Sequence, residues 1–121
     1  MPDILIIDDD DFTRRLIAMK VSNAGYTVRD AADAVIGIQS VLDKHPDLIL
    51  LDVHMPYMSG IEVLQALKGD TQSRDIPVIM LTADSDDNTW LEALRWGAAD
   101  YLTKPFEEHE LLETLKKWTT K

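Results

Sequence analysis

Cysteine is absent from the 121 residues. That removes disulfides, thiolate zinc sites and cysteine nucleophiles, and it fits a cytoplasmic setting. No apolar run approaches the roughly 20 residues of a membrane-spanning helix, so no membrane association is expected. No basic stretch precedes the first apolar segment, and Met1-Pro2-Asp3 does not read as a secretory leader. Positive charge is scarce. Twelve Lys and Arg stand against 22 Asp and Glu, a net charge of −10. Such a surface repels phosphate backbones on average, so direct nucleic-acid binding by this chain is not expected. Internal repeats, low-complexity tracts and linkers are missing as well. The length fits one domain spanning 1–121.

What is present is an alternation. Ile4 to Ile7, Leu48 to Leu51 and Val78 to Leu81 are short runs that are apolar at every position. Tyr26 to Val28 and Ala99 to Leu102 are two further strand candidates. Between them lie stretches with helical spacing. Phe12, Leu16 and Met19 mark the first, closed by Gly25. Ala31 to Leu42, with Val35, Ile38 and Val41 or Leu42, is the second, closed by Pro46. Ile61, Leu64 and Leu67 mark the third, Leu91 and Leu94 the fourth, and Leu111, Leu115 and Trp118 the fifth. Strands made only of apolar residues suit a sheet covered on both faces, which is a parallel one. Five strands alternating with five helices predict a single doubly wound, flavodoxin-like α/β sheet of order 2-1-3-4-5.

That fold makes the acids informative. Ligands of open parallel sheets bind beyond the C-terminal strand ends, where the strand order reverses. Here that point lies between strands one and three. Asp8 and Asp9 follow strand one, and Asp52 ends strand three. Strand four delivers Thr82, and strand five is followed by Lys104. Three convergent carboxylates repel one another by a few kcal/mol per close pair at an effective dielectric of about 20. They must take up protons or a cation. All-oxygen donors suit Mg²⁺, which favours a phosphoryl oxygen as a further partner. A carboxylate nucleophile, an ammonium, a hydroxyl and a dication together make a phosphoryl site. Taken singly, each residue has a plainer reading. An Asp after a strand is commonly a helix cap, which Asp10 or Asp11 suits, and a Lys-Pro step is commonly surface. The inference rests on coincidence of position.

The segments "ILIIDDDD", "LILLDVHMPYMSG", "PVIMLTA" and "GAADYLTKPF", in this order and spacing, resemble the receiver domains of two-component response regulators, of the single-domain chemotaxis type. The resemblance runs from Ile4 to about Trp118. It implies that Asp52 takes a phosphoryl group from a histidine kinase or phosphotransfer protein. It implies that Asp8, Asp9 and Asp52 hold Mg²⁺ together with the backbone carbonyl of His54. It makes Thr82 the switch hydroxyl, Lys104 the lysine that pairs with the phosphoryl group, and Tyr101 the aromatic that changes rotamer. Ala83 is small, as access to the acceptor needs, and the Lys104-Pro105 bond is expected to be cis. His54 and Asp84 stand where the family tunes the lifetime of the phosphorylated state. For His54 two readings stay open: its imidazole orients or blocks the attacking water, or only its carbonyl takes part. The output is a remodelled surface of the fourth helix, fifth strand and fifth helix, read by a downstream protein or a fused output domain, with a phosphorylation-dependent dimer as one form. Trp90 either lies on that surface or packs on Leu94. His45 and His109 read as surface residues.

Other classes compete. "DDDFT", residues 9–13, satisfies the Asp-x-Asp-x-Thr pattern of haloacid-dehalogenase-type phosphatases, with Asp9 and Asp11 as the working pair. The chain is short for that fold, and no Gly-Asp-x-x-x-Asp follows a later strand. A flavodoxin-type flavin binder needs a Ser/Thr/Gly-rich phosphate loop after strand one, where this chain has four aspartates. A receiver kept only as an interaction module would not need Asp8, Asp9, Asp52, Thr82 and Lys104 together.

Overall fold

The computed structural model describes residues 1–83 and 87–119. Its elements run β1 (Asp3–Ile7), α1 (Asp11–Asn23), β2 (Thr27–Ala31), α2 (Ala34–Asp43), β3 (Leu48–Asp52), α3 (Gly60–Gly69), β4 (Val78–Thr82), α4 (Asp87–Arg95), β5 (Asp100–Thr103) and α5 (Glu108–Thr119). The five strands form one parallel sheet of order β2-β1-β3-β4-β5, as the alternation predicts.

The apolar runs explain the layering. Successive strand residues point to opposite faces, so a run with no polar break needs a cover on both. Leu5, Ile7, Ile49, Leu51, Val78 and Met80 share one core with residues of α2, α3 and α4. Ile4, Ile6, Leu48, Leu50, Ile79 and Leu81 share the other with Ile17 and Val21 of α1 and Leu111 and Leu115 of α5. All but one of the largest fully buried side chains lie on β1, β3 and β4, the exception being Leu64. Each contributes about 1.5–3 kcal/mol of burial. The strands whose ends carry the acids are therefore the most firmly held.

Local signals set the helix starts. Asp10 caps α1, its carboxylate accepting from the Thr13 amide at 2.8 Å. Asp33 caps α2 in the same way. Ser59 and Glu62 form a reciprocal capping box on α3. Gly25 and Gly97, at φ 101° and 99°, turn the chain out of α1 and α4 in a left-handed conformation that side chains resist.

Two helix faces differ from expectation. On α1 the residues turned inward are Arg14, Ile17 and Val21, while Phe12, Leu16 and Met19 are exposed. The helix carries two apolar stripes, and β-branched Ile17 and Val21 are the pair that meets the sheet. On α2 the inward residues are Ala34, Gly37 and Val41, with Ile38 half-buried, whereas Val35 and Leu42 are exposed. Small residues win there because the helix lies close to β1: a Cβ on Gly37 would sit 2.6 Å from the Ile7 side chain. The second strand also runs later than Tyr26 to Val28, ending at Ala31, so α2 begins at Ala34. The α5 face is as expected, with Leu111 and Leu115 fully buried and Trp118 packed beside them.

Candidate functional site

The register of β1 against β3 pairs Ile7 with Leu51. The next residues, Asp8 and Asp52, therefore stand side by side where the two chains leave the sheet. Asp8 is fully buried and Asp52 nearly so, while Asp9 is exposed. One carboxylate oxygen from each of Asp8, Asp9 and Asp52 lies within 4.8 Å of the others. The Asp8 carboxylate also holds its own loop, accepting from the Asp10 amide at 2.9 Å.

Lys104, the residue after β5, closes the site. Its ammonium donates to Asp8 Oδ2 at 2.9 Å and Asp52 Oδ1 at 3.4 Å. Its backbone amide donates to the Thr82 carbonyl at 2.6 Å, and the Lys104-Pro105 bond is cis. Thr82, the last residue of β4, is buried one step beyond Leu81, the register partner of Asp52. The loop after Asp52 folds back over the strand end. Tyr57 takes a left-handed φ of 70° between Pro56 and Met58, whose amide donates to the Pro56 carbonyl at 2.8 Å. Met55 and Met58 pack under that loop on the core.

Charge is finely set here. Burial pushes the Asp52 carboxyl up to about 6, and the Asp8 charge adds to it. The attraction and hydrogen bond of Lys104 and the His54 backbone amide pull the other way. Burial also pushes the Lys104 amine down, but its hydrogen bond to Asp8 and the charge of Asp52 outweigh this, and it stays firmly protonated. Three hard oxygen donors that repel one another fit a divalent cation such as Mg²⁺.

The structure thus brings together Asp8, Asp9, Asp52, Thr82 and Lys104. The imidazole of His54 is exposed, and it is the backbone amide that meets Asp52. Tyr101 stands on β5, 39% exposed, with its ring 4.4 Å from that of Trp90 on α4 and tilted by 37°. The partner of Trp90 is therefore Tyr101, a pairing that spacing within the helix could not reveal. Asp84 lies outside the described residues. His45 and His109 are exposed. Asp9 and Asp11, the pair that a phosphatase would need, are not joined: Asp9 belongs to the cluster, and Asp11 is held by Arg14 at 2.7 Å. Arg14 itself went unremarked in the sequence. Its signal was the first of two adjacent cations, Arg14 and Arg15, placed one turn after four acids.

The family model for the response regulator receiver domain matches residues 4–116. The phosphate regulon transcriptional regulatory protein PhoB of Pseudomonas aeruginosa is 43% identical over 113 residues, which are 93% of this chain and 49% of that protein. The chain spans about half the length of the curated relatives of this kind that it matches. Among solved structures, the chemotaxis protein CheY4 of Vibrio cholerae is 32% identical, with a TM-score of 0.93 over 98% of each chain. The receiver domain of sensor histidine kinase PA1611 from P. aeruginosa, solved with a magnesium ion coordinated in its active-site cleft, is 28% identical. It superimposes with a TM-score of 0.91 over 99% of this chain and 98% of that one. The phosphatase alternative is not supported, and among the described residues no helix is long and apolar enough to cross a membrane. Sheet order, the position of the acids and a match along nearly the whole sequence agree: the chain belongs to the response regulator receiver domains of two-component signalling.

Proposed function

We propose that Asp52 is the phosphoacceptor of this receiver domain and that its phosphorylation resets the α4-β5-α5 surface. The observation that carries the reading is the meeting of three carboxylates with the Lys104 ammonium at the strand-order reversal. Asp52 Oδ attacks the phosphorus of a phosphohistidine on a histidine kinase or phosphotransfer protein. The P–N bond breaks, the imidazole leaves, and an acyl phosphate forms. At pH 7 Asp52 is above its pKa of about 6 and ready to attack. Asp8, Asp9, Asp52 and the His54 carbonyl would hold Mg²⁺, as the active-site cleft of the PA1611 receiver holds its ion. When bound there, Mg²⁺ offsets the acids and supplies positive charge to the phosphoryl oxygens. Lys104 exchanges its contact with Asp52 Oδ1 for one of those oxygens. The Thr82 hydroxyl donates to another. The chain's own chemistry ends there, with phosphoryl uptake and release on Asp52 and no turnover of a separate substrate.

The consequence is a change of surface. Phosphorylation adds roughly −1.5 to −2 charges, and Thr82 moving toward them vacates space for Tyr101 to turn inward. The reader of that surface is a downstream protein or a fused output domain in the cytoplasm, or a second copy in a phosphorylation-dependent dimer. Among the relatives, PhoB is about twice as long as this chain and the hybrid histidine kinase D of Dictyostelium discoideum matches over 8% of its length, which supports a reader fused to the receiver.

The direct test is incubation with acetyl phosphate and Mg²⁺ followed by intact mass. A gain of one phosphoryl group, removed by hydroxylamine, is the expected result. No labile gain, with or without a cognate kinase, would sink the reading.

The Trp90–Tyr101 stack gives a second check. Aromatic pairs contribute about 0.5–1.5 kcal/mol beyond their burial. If the stack holds Tyr101 outward, Trp90→Ala raises the inward population of the unphosphorylated chain by about 2- to 10-fold. Ring resonances of Tyr101 would report it. Identical ring populations in the two chains would deny the stack any part in the switch.

A further inference from the structure

We propose that Arg14 is a positioning residue for the metal site, acting through the main chain of Asp8; the inference rests on the phosphoacceptor reading above. Its side chain is only 9% exposed, on the inward face of α1 with Ile17 and Val21, where an apolar residue would be the ordinary choice. Every arm of the guanidinium is used. Nη1 donates to the Asp8 carbonyl at 3.0 Å in a buried contact. Nη2 donates to Asp11 at 2.7 Å, and Nε to Asp30 at 2.9 Å. Asp30 is on β2 and Asp11 opens α1, so one planar group ties the start of a helix and a neighbouring strand to the peptide between Asp8 and Asp9.

That peptide is where the two acids must diverge. Asp8 turns its carboxylate toward Lys104 and the Asp10 amide, and Asp9 must reach the same point from the exposed side. The Asp8 amide donates to the Ala31 carbonyl at 3.2 Å, which fixes one side of the residue; Arg14 fixes its carbonyl. A group that orients metal ligands through hydrogen bonds commonly carries a 10- to 100-fold effect on affinity (about that range). Lysine cannot stand in for it, because a single ammonium does not present donors in a rigid fork.

Charge and positioning give opposite signs, which makes the inference sharp. Arg14 is a cation beside a cation site. If it acted by charge alone, its removal would tighten Mg²⁺ binding. If it positions Asp8 and Asp9, its removal weakens binding despite the more negative site. The experiment is a Mg²⁺ titration at pH 7 and fixed ionic strength, followed by the amide resonances of residues 8–10 and 52–54. It compares the unaltered chain with Arg14→Met and Arg14→Lys, with metal-free thermal melts run alongside. Both variants should bind Mg²⁺ about tenfold or more weakly at a temperature where the melts show them folded. The lysine variant, which keeps charge and bulk, decides the matter should the methionine chain not fold. Unchanged or tighter binding would overturn the proposal and leave Arg14 as a staple between α1 and β2. Affinity restored by lysine would overturn it too. No magnesium response in the unaltered chain would overturn the phosphoacceptor reading itself, a result distinct from either.

Discussion

Asp52→Asn will leave the chain unable to take a phosphoryl group from acetyl phosphate, and will raise its melting temperature at pH 7. The first effect is a complete loss, because the amide oxygen is no nucleophile at phosphorus under these conditions. The second follows from what the folded state does to the carboxyl. Burial, with the Asp8 charge added, lifts its pKa from 3.8 to about 6. Between about pH 4 and pH 6 the unfolded chain has released this proton and the folded chain still holds it, so stability falls as pH rises through that window and stays lower above it. The asparagine chain carries no such slope. Its advantage should be near zero at pH 4, grow to on the order of 2 kcal/mol by pH 7, and amount to several degrees in melting temperature. The Lys104 ammonium keeps Asp8 as its partner in the variant, so no buried cation is orphaned. Saturating Mg²⁺ should erase much of the difference at pH 7, since it stabilises the ionised carboxylate of the unaltered chain. Thermal melts across pH 4–8 make the comparison. An asparagine chain that melts lower at pH 7 would mean that Asp52 is not held at a cost, and a phosphorylated asparagine chain would place the acceptor elsewhere.

Gly60→Ala should be the most damaging single-methyl change in the site. A Cβ at that position would lie 2.2 Å from the Asp52 carbonyl oxygen and 2.8 Å from the Val53 Cα. Both are backbone atoms of the segment that carries the acceptor, and neither can swing aside. The Gly60 amide also donates to the Val53 carbonyl at 2.8 Å, so the clash falls where α3 is tied to the end of β3. Relief requires α3 or the acceptor strand to move. The cost is about 3 kcal/mol, at the top of the usual overpacking range, which lowers the melting temperature by roughly 10 °C. Phosphoryl uptake should slow as well, because Asp52 moves with its own carbonyl. Gly69→Ala is the control, since a Cβ there meets nothing within 4 Å and alanine favours the helix. Equal melting temperatures for the two variants would show that the close approach at Gly60 is not a constraint.

Both predictions concern residues that the sequence marks by position: an acid closing an apolar run, and a glycine eight residues on. The sheet and its order were legible for the same reason. Residues 4–7, 48–51 and 78–81 have no polar break, and only a sheet covered on both faces buries such runs. Once the order is granted, the strand ends say where Asp8, Asp52, Thr82 and Lys104 must meet. Helix faces were less legible. On α1 two apolar stripes compete, and periodicity alone favoured Phe12, Leu16 and Met19 over Ile17 and Val21. On α2 the close approach of Gly37 to Ile7 selects small residues that hydropathy undervalues.

The chain's own order of residues therefore determined which strands form, how they neighbour one another and which acids gather at their ends, because burial of unbroken apolar runs has few solutions. Only the tertiary structure decided which stripe of α1 is inside, that Arg14 reaches the Asp8 carbonyl, and that Trp90 lies against Tyr101. Those outcomes depend on helix rotation and on contacts between residues distant in sequence. Local spacing does not encode them, and packing against the finished sheet does.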